Sequence, residues 1–144
     1  MTRFIPLSDT VSVSPQISAA EIEKAAQEGF DTIVNNRPDD EEVGQPTSAQ
    51  IEKAAQEAGL TYRAIPIGAS GFTEQSVQQM SETLGSASRT LAFCRSGTRS
   101  TYLWALASAS RGADPGDLMK VAAGAGYDLT PLLPQLALLS GQDG

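Results

Sequence analysis

Leu91-Ala-Phe-Cys-Arg-Ser-Gly-Thr-Arg-Ser100 is the stretch that decides the fold of this chain. A short apolar run ends at Phe93 and delivers Cys94 to a glycine-containing loop, and a helix-forming segment over 101–110 follows at once. This pattern predicts a strand, a loop and a helix. Because a loop over a helix N-terminus presents unpaired backbone N–H groups and the positive end of the helix dipole, we expect it to hold an anion.

Cys94 itself can be the anion that this loop stabilises. A thiolate held in this way is a usable nucleophile near neutral pH. Arg99 follows five positions later, and a guanidinium can hold a bound oxyanion through two parallel hydrogen bonds that a lysine cannot reproduce. We therefore predict that Cys94 and Arg99 are catalytic. The remaining loop residues are predicted to bind the substrate or its oxyanion: Arg95, Ser96, Gly97, Thr98 and Ser100.

A structural interpretation of Cys94 competes with the catalytic one. A lone cysteine at the end of a buried strand is usually a small hydrophobic residue. Two arginines, a glycine and a helix start lie within a few residues of it, however, and they are poorly suited to filling a core. We favour the catalytic interpretation and expect Arg95 to point outward and to steer anions only.

Composition limits the classes of protein that fit. The 144 residues, of which 40% are hydrophobic, predict one globular domain over 1–144. The net charge of −7 argues against nucleic-acid binding, which needs an excess of basic groups. The single cysteine fits a reducing compartment. Met1–Pro6 lacks the apolar core of a signal peptide, and no stretch approaches about 18 apolar residues, so we predict a cytoplasmic protein without a membrane partner.

The chain contains no histidine, which removes Ser-His-Asp and Cys-His mechanisms. One cysteine and carboxylates would be the only metal ligands, and they are too few soft donors for a typical zinc site. We therefore expect neither a metal nor another cofactor.

Strand and helix patterns alternate along the chain. They predict strands at 4–5, 11–13, 31–34, 60–65 and 91–93, and helices at 19–28, 48–58, 74–84, 101–110, 115–123 and within 132–139. This alternation predicts an α/β fold with a mostly parallel central sheet flanked by helices.

In such a sheet the carboxyl ends of the strands share one edge, where ligands bind. The loops at 35–42, 66–72 and 94–99 should therefore surround one pocket. Three residues of the first loop are candidates for its rim, namely Asn36, Arg37 and Asp39. The 66–72 loop contains no carboxylate, and the acidic run at 39–42 is more often a solvated face than a source of protons.

Several segments carry a family resemblance. The Cys-(x)4-Arg loop resembles rhodanese sulfurtransferases. The segments SVSPQIS at 12–18, IVNNRPDDEE at 33–42, GQPTSAQI at 44–51 and CRSGTRSTYLWAL at 94–106 resemble the bacterial phosphatase-like domain of beta-lactamase hydrolase-like proteins. This resemblance implies the fold of dual-specificity tyrosine phosphatases, a Cys94 nucleophile, and relatives that occur alone or fused to persulfide dioxygenase-type metal domains.

Two features of this sequence differ from the tyrosine phosphatases whose fold the resemblance implies. Their signature has five residues between cysteine and arginine, whereas this chain has four, and Phe93 stands where they have a histidine. Their general acid is an aspartate on a neighbouring loop, for which the 66–72 loop offers no candidate.

Three functions follow as hypotheses. The favoured one is a sulfurtransferase that takes sulfane sulfur from thiosulfate or a persulfide as a Cys94 persulfide and passes it to a thiol acceptor or to a persulfide dioxygenase partner. The alternative is a cysteine phosphatase that acts on a phosphate ester through a phosphocysteine. The third is a non-catalytic anion-binding or redox-sensing module. The short spacer and the missing general acid favour sulfur transfer, because sulfite leaves thiosulfate without a proton donor.

Overall fold

The computed structural model describes residues 4–141, so part of Met1–Pro6, where a signal peptide was sought, lies outside the described residues. The described chain contains β1 (Ile5–Pro6), β2 (Val11–Ser14), α1 (Ala19–Gln27), β3 (Thr32–Asn35), α2 (Ser48–Glu57), β4 (Thr61–Ala64), α3 (Glu74–Ser86), β5 (Thr90–Phe93), α4 (Thr98–Ser110), α5 (Pro115–Gly124), a 3-10 turn (Thr130–Leu132) and α6 (Leu133–Ser140). Strands and helices alternate from β2 to α4, which confirms the predicted α/β class. Within residues 4–141 none of the helices combines the length and apolar character needed to cross a bilayer.

The five strands form one sheet in the order β1-β2-β5-β3-β4. β2, β5, β3 and β4 run parallel, and only the edge strand β1 is antiparallel to its neighbour. This arrangement confirms the mostly parallel sheet. β5 occupies the middle position, and all four of its residues are buried. The residue that follows β5 therefore emerges at the centre of the carboxyl edge, and that residue is Cys94.

Helices cover both faces of the sheet. One face carries α1 and α2, which share the segment IEKAAQE and begin at capping boxes formed by Ser18 and Thr47. Each cap satisfies backbone N–H groups that a helix start leaves unpaired. Ile22 and Ile51 occupy the same place in the repeated segment, and both are buried in one cluster with Phe93. The repeated segment thus supplies one layer of the core rather than a functional motif.

The opposite face is built around α4, whose Leu103, Trp104 and Leu106 are buried. α3, α5 and α6 all contact this helix. The helix begins at Thr98, three residues before the predicted start, because Gly97 adopts a left-handed φ of 91° as the residue before the first turn. Glycine reaches this conformation without steric cost. Arg99 and Ser100 consequently belong to the first turn of α4 rather than to the loop before it.

Candidate active site

The loops that follow β3, β4 and β5 meet at Arg99. Its Nη1 donates hydrogen bonds to the carbonyl of Ile67 in the 66–72 loop and to the Glu41 carboxylate in the 35–42 loop, both at 2.7 Å. Arg99 itself lies in the first turn of α4, directly after the loop 94–97 that follows β5, which we call the cysteine loop. The expectation that these three loops lie side by side is therefore met by direct contacts, as the shared edge of a parallel sheet requires.

The cysteine loop surrounds the sulfur of Cys94. Cys94 is fully buried, as a core cysteine would be, but its Sγ accepts a hydrogen bond of 3.1 Å from the backbone N–H of Gly97. The backbone N–H of Cys94 donates to the carbonyl of Ser14 on β2, which fixes the start of the loop. The loop therefore aims one backbone amide donor directly at the sulfur.

The same loop leaves other amides free. Within residues 4–141 no acceptor is present for the backbone N–H groups of Arg95, Ser96, Arg99 and Ser100. Two of these amides lie in the first turn of α4, where the helix dipole adds a partial positive charge. Free amides around a helix start are suited to the oxygens of a bound anion.

Arg99 is held by a bidentate pair with Glu41. Its Nη1 donates to Oε2 at 2.7 Å and its Nη2 donates to Oε1 at 2.9 Å. The hydrogen bond with Glu41 is the largest cause that raises the pKa of Arg99, and the charge of Cys94 contributes in the same direction. In turn the hydrogen bond from Arg99 is the main cause that lowers the pKa of Glu41. The fork predicted to grip an oxyanion is thus engaged by a carboxylate of the protein.

One edge of Arg99 is still available. A guanidinium has five N–H donors, and the bonds to Glu41 and to the Ile67 carbonyl use three of them. The donor on Nε and the second donor on Nη2 meet no oxygen acceptor within the described part of the chain, and a hydrogen bond with the Cys94 side chain is among the causes that raise the pKa of Arg99. These two donors point in parallel, so Arg99 keeps a bidentate edge for a bound oxyanion while Glu41 holds the other edge.

The acidic run at 39–42 is not simply a solvated face. Arg37 is 4% exposed, and its side chain donates to Glu41 at 2.9 Å and to Glu42 at 2.6 Å. Glu42 also lies 3.4 Å from Nε of Arg95, whose side chain is 65% exposed and points outward as expected. The two glutamates therefore link the buried Arg37 to the arginines on either side of the cysteine loop.

The other rim candidates lie elsewhere. Asn36 is fully buried beneath the loop rather than on its rim, where its Oδ1 accepts from the Ser100 hydroxyl at 2.8 Å and its Nδ2 donates to the Ile65 carbonyl at 2.8 Å. Asp39 accepts from the backbone N–H of Ser48 at 2.7 Å at the start of α2. Asn36 therefore braces the site from below, and Asp39 stabilises a helix start.

Tyr127 is a site residue that the sequence did not reveal. Its hydroxyl donates to the carbonyl of Ser96 at 3.2 Å. Burial is the main cause that raises the pKa of Tyr127, the charge of Cys94 adds to it, and a hydrogen bond with Thr101 opposes it. The tyrosine lies 31 positions after Ser96 in a glycine-rich segment, so only the folded chain brings the two together.

An apolar groove of about 490 Å³ lies away from this site. It is formed by α3, α4 and α6, with Val77, Leu106 and Leu138 among its lining residues. No residue of the cysteine loop contributes to it. The groups able to do chemistry are at the sheet edge, and the groove is a separate feature of the helical face.

Solved structures share this fold. A candidate phosphatase from Neisseria meningitidis is 33% identical, with a TM-score of 0.80 over 94% of this chain and 97% of that chain. Kinase associated phosphatase, in a form with the catalytic cysteine replaced by serine, is 17% identical, with a TM-score of 0.71 over 94% of this chain and 89% of that chain. TpbA from P. aeruginosa in complex with pTyr is 18% identical, with a TM-score of 0.63 over 94% of this chain and 82% of that chain.

The fold and the site together define an enzyme of the cysteine phosphatase-like class. Residues 3–111 match the family model for the phosphatase-like domain of beta-lactamase hydrolase-like proteins. The chain belongs to this family, as the resemblance implied.

Curated relatives agree with this assignment. A beta-lactamase hydrolase-like protein of Xylella fastidiosa is 32% identical over 105 residues, which are 72% of this chain and 24% of the relative. A protein of the same name from Agrobacterium fabrum is 31% identical over 111 residues, which are 76% of this chain and 26% of the relative. The chain thus spans about a quarter of the length of these relatives.

These likenesses support the phosphatase alternative and give no support to the favoured sulfurtransferase. The preference for sulfur transfer depended on the short spacer between Cys94 and Arg99 and on the missing general acid. In the structure Arg99 and Ser100 both lie in the first turn of α4, and their amides are free. A spacer of five residues would put the arginine at position 100 instead of 99. Both positions lie in this turn, so the change alters where the arginine side chain starts and does not remove an amide from the loop.

Proposed function

We propose that this chain is a cysteine phosphatase that hydrolyses phosphate esters through a Cys94 phosphocysteine. The observation that carries the proposal is the hydrogen bond of 3.1 Å from the Gly97 amide to Cys94 Sγ, at the centre of a loop whose other amides are free. The phosphatase-like family and the neighbouring folds support the same chemistry.

The first step is transfer of the phosphoryl group to sulfur. The Cys94 thiolate attacks phosphorus, an S–P bond forms, and the P–O bond to the leaving group breaks with its electron pair remaining on that oxygen. The free amides of the loop and the free edge of Arg99 bind the phosphoryl oxygens. Fixed donors aimed at developing negative charge lower the barrier to such transfer.

The second step hydrolyses the phosphocysteine and regenerates the free enzyme. A water molecule attacks phosphorus, the S–P bond breaks, and the thiolate of Cys94 is restored with inorganic phosphate as the product. The water loses its proton to the phosphate oxygens or to solvent. The free amides that stabilise the first transition state also stabilise the second, because the charge develops on the same oxygens.

The surroundings of Glu41 bear on the choice of substrate. A general acid must carry a proton, but Glu41 is paired with Arg99 and Arg37, and its pKa is lowered mainly by the hydrogen bond from Arg99. The 66–72 loop has no carboxylate to replace it. We therefore propose that aryl phosphates, whose phenolate leaves without much help from an acid, are better substrates than alkyl phosphates. The complex of TpbA with pTyr is consistent with this class of ester.

The deciding experiment compares two reactions on one preparation. We expect measurable hydrolysis of p-nitrophenyl phosphate, loss of that activity in Cys94→Ser, and a lower kcat/KM for transfer of sulfur from thiosulfate to cyanide. Alkyl phosphates should be hydrolysed more slowly than the aryl ester. A higher kcat/KM for thiosulfate, or undiminished hydrolysis by Cys94→Ser, would exclude the proposal.

Three further assignments belong to the proposal. Residues 1–144 act as one domain, the substrate is a small phosphate ester, and the protein is cytoplasmic. The net charge of −7 together with the local arginines at 95 and 99 supports a small anion rather than a polyanion.

A further inference from the structure

Tyr127 and Cys94 contact opposite ends of one peptide unit. The Tyr127 hydroxyl donates to the carbonyl oxygen of Ser96 at 3.2 Å. The N–H of the same peptide unit belongs to Gly97, and it donates to Sγ of Cys94 at 3.1 Å. Because a peptide unit is planar and rigid, the direction of its carbonyl fixes the direction of its N–H. Whatever holds the Ser96 carbonyl therefore aims the Gly97 amide.

This peptide unit needs such an anchor. Gly97 has a φ of 91° and no Cβ, so rotation of the preceding peptide meets little steric resistance. Among the described residues, no donor other than Tyr127 contacts the carbonyl of Ser96. Rotation would turn the carbonyl oxygen toward the sulfur and the N–H away from it. An oxygen with partial negative charge next to a thiolate is unfavourable, so the anchor favours the orientation that suits the anion.

The fit of Tyr127 against the loop is close. A Cβ at Gly97 would overlap the Tyr127 hydroxyl, so the absence of a side chain at 97 is what allows the phenol to reach the peptide. Burial and then the charge of Cys94 raise the pKa of Tyr127 above an ordinary value that already leaves a phenol protonated at neutral pH, so the hydroxyl is able to donate. Tyr127 lies beyond residues 3–111, the part of the chain that the family model matches.

We propose that Tyr127 is a positioning residue that stabilises the Cys94 thiolate through the Ser96–Gly97 peptide. The hydroxyl holds and polarises the carbonyl, and the amide on the other side of the same unit becomes a better donor to sulfur. The inference rests on the proposed function in that it takes the Cys94 thiolate to be the nucleophile. The titratable groups that interact with Cys94 are Arg99 and Tyr127, and only the second acts through this peptide.

Titration of the thiolate tests the proposal without requiring turnover. The chain has a single cysteine, so its ultraviolet thiolate absorbance against pH, with Cys94→Ser in the same background as the blank, reports on one group. In Tyr127→Phe the midpoint should move upward by about one pH unit, the size expected for a weakened hydrogen bond to a charged sulfur. The matched control is Tyr62→Phe, whose hydroxyl contacts Asn35 and Ser48, and its midpoint should equal that of the wild type.

Thermal unfolding separates positioning from general stabilisation. Tyr127→Phe keeps the ring, so its Tm should fall no further than that of Tyr62→Phe. A Tyr127→Phe protein that titrates like the wild type overturns the proposal, whether or not its Tm falls. A shifted titration without any phosphate hydrolysis in the wild type would remove the proposed function but leave the positioning role intact. Phosphate hydrolysis by the wild type, together with an unshifted titration in Tyr127→Phe, would support the proposed function and overturn the positioning role.

Discussion

Arg99 in the first turn of α4 and Glu41 in the 35–42 loop form a bidentate pair, with Nη1–Oε2 at 2.7 Å and Nη2–Oε1 at 2.9 Å, and this pair does not use the Nε edge of the guanidinium. The two residues are 58 positions apart in the chain. We expect Glu41 to support Arg99 rather than to compete with a substrate, because the carboxylate and a bound oxyanion would use different edges of the guanidinium.

Replacing Glu41 tests whether the carboxylate and the substrate use different edges of the Arg99 guanidinium. Glu41→Ala should lower kcat/KM for p-nitrophenyl phosphate by about tenfold, which corresponds to about 1.4 kcal/mol for a partly exposed pair. Glu41→Gln retains one oxygen acceptor and should lose less. Glu52→Gln, an exposed change on α2, serves as the control. An increase in kcat/KM in Glu41→Ala would show that the carboxylate competes with the substrate.

Arg99→Lys keeps the charge and removes the fork. A lysine lacks the two pairs of parallel N–H donors that would bind Glu41 and an oxyanion at the same time. We therefore expect kcat/KM to fall by about 10- to 100-fold, or about 1.5–3 kcal/mol for a charged hydrogen bond. Arg111→Lys, whose guanidinium donates to the Ser81 carbonyl on α3, is the matched change and should leave kcat/KM unaltered. Equal rates for the two variants would mean that Arg99 is a surface arginine without a role in turnover.

Gly97→Ala should damage the loop for two separable reasons. The φ of 91° costs about 1–2 kcal/mol for any residue with a Cβ, and the new methyl group would overlap the Tyr127 hydroxyl. Gly59→Ala carries only the first cost, because Gly59 has a φ of 80° and open space around it. We expect both variants to lose stability in thermal unfolding and only Gly97→Ala to lose phosphatase activity. Full activity in Gly97→Ala would contradict the tight contact with Tyr127.

Asp31 should make stability depend on pH. Burial acts to raise the pKa of Asp31, but hydrogen bonds from the backbone N–H groups of Arg89 and Ser88 outweigh it, so the pKa is lowered. A lowered pKa means that the stabilisation is present above the unfolded value of about 3.9 and is lost as the pH falls through the folded value.

Asp31→Asn should therefore destabilise the protein by about 1 kcal/mol at pH 7, a figure reduced for solvent exposure, and by progressively less below about pH 4. Denaturant unfolding at several pH values measures this, with the exposed Asp9→Asn as the control. If the difference in free energy of unfolding between wild type and Asp31→Asn stays unchanged in acid, the carboxylate charge is not the source of that difference.

The order of the elements and the place of Cys94 directly after a buried strand follow from the sequence alone. Local signals were enough there: Ser18 with Glu21 forms a capping box at the start of α1, and the apolar run before Cys94 forms the buried strand β5. Alternation of strand and helix then required a mostly parallel sheet, whose shared carboxyl edge brought the loops at 35–42, 66–72 and 94–99 together. These features depend on neighbours within a few residues, or on a rule that applies to the whole fold.

The partners of the site residues follow from the tertiary structure and not from the sequence. The left-handed Gly97 moved the start of α4 to Thr98, and this start places Arg99 in a helical turn instead of a loop. Glu41, Asn36 and Tyr127 reach the site from segments 58, 64 and 31 positions away from the residues they contact. Hydrogen bonds of this kind form only when distant segments are packed at a fixed angle, so the spacing between Cys94 and Arg99 could not report them.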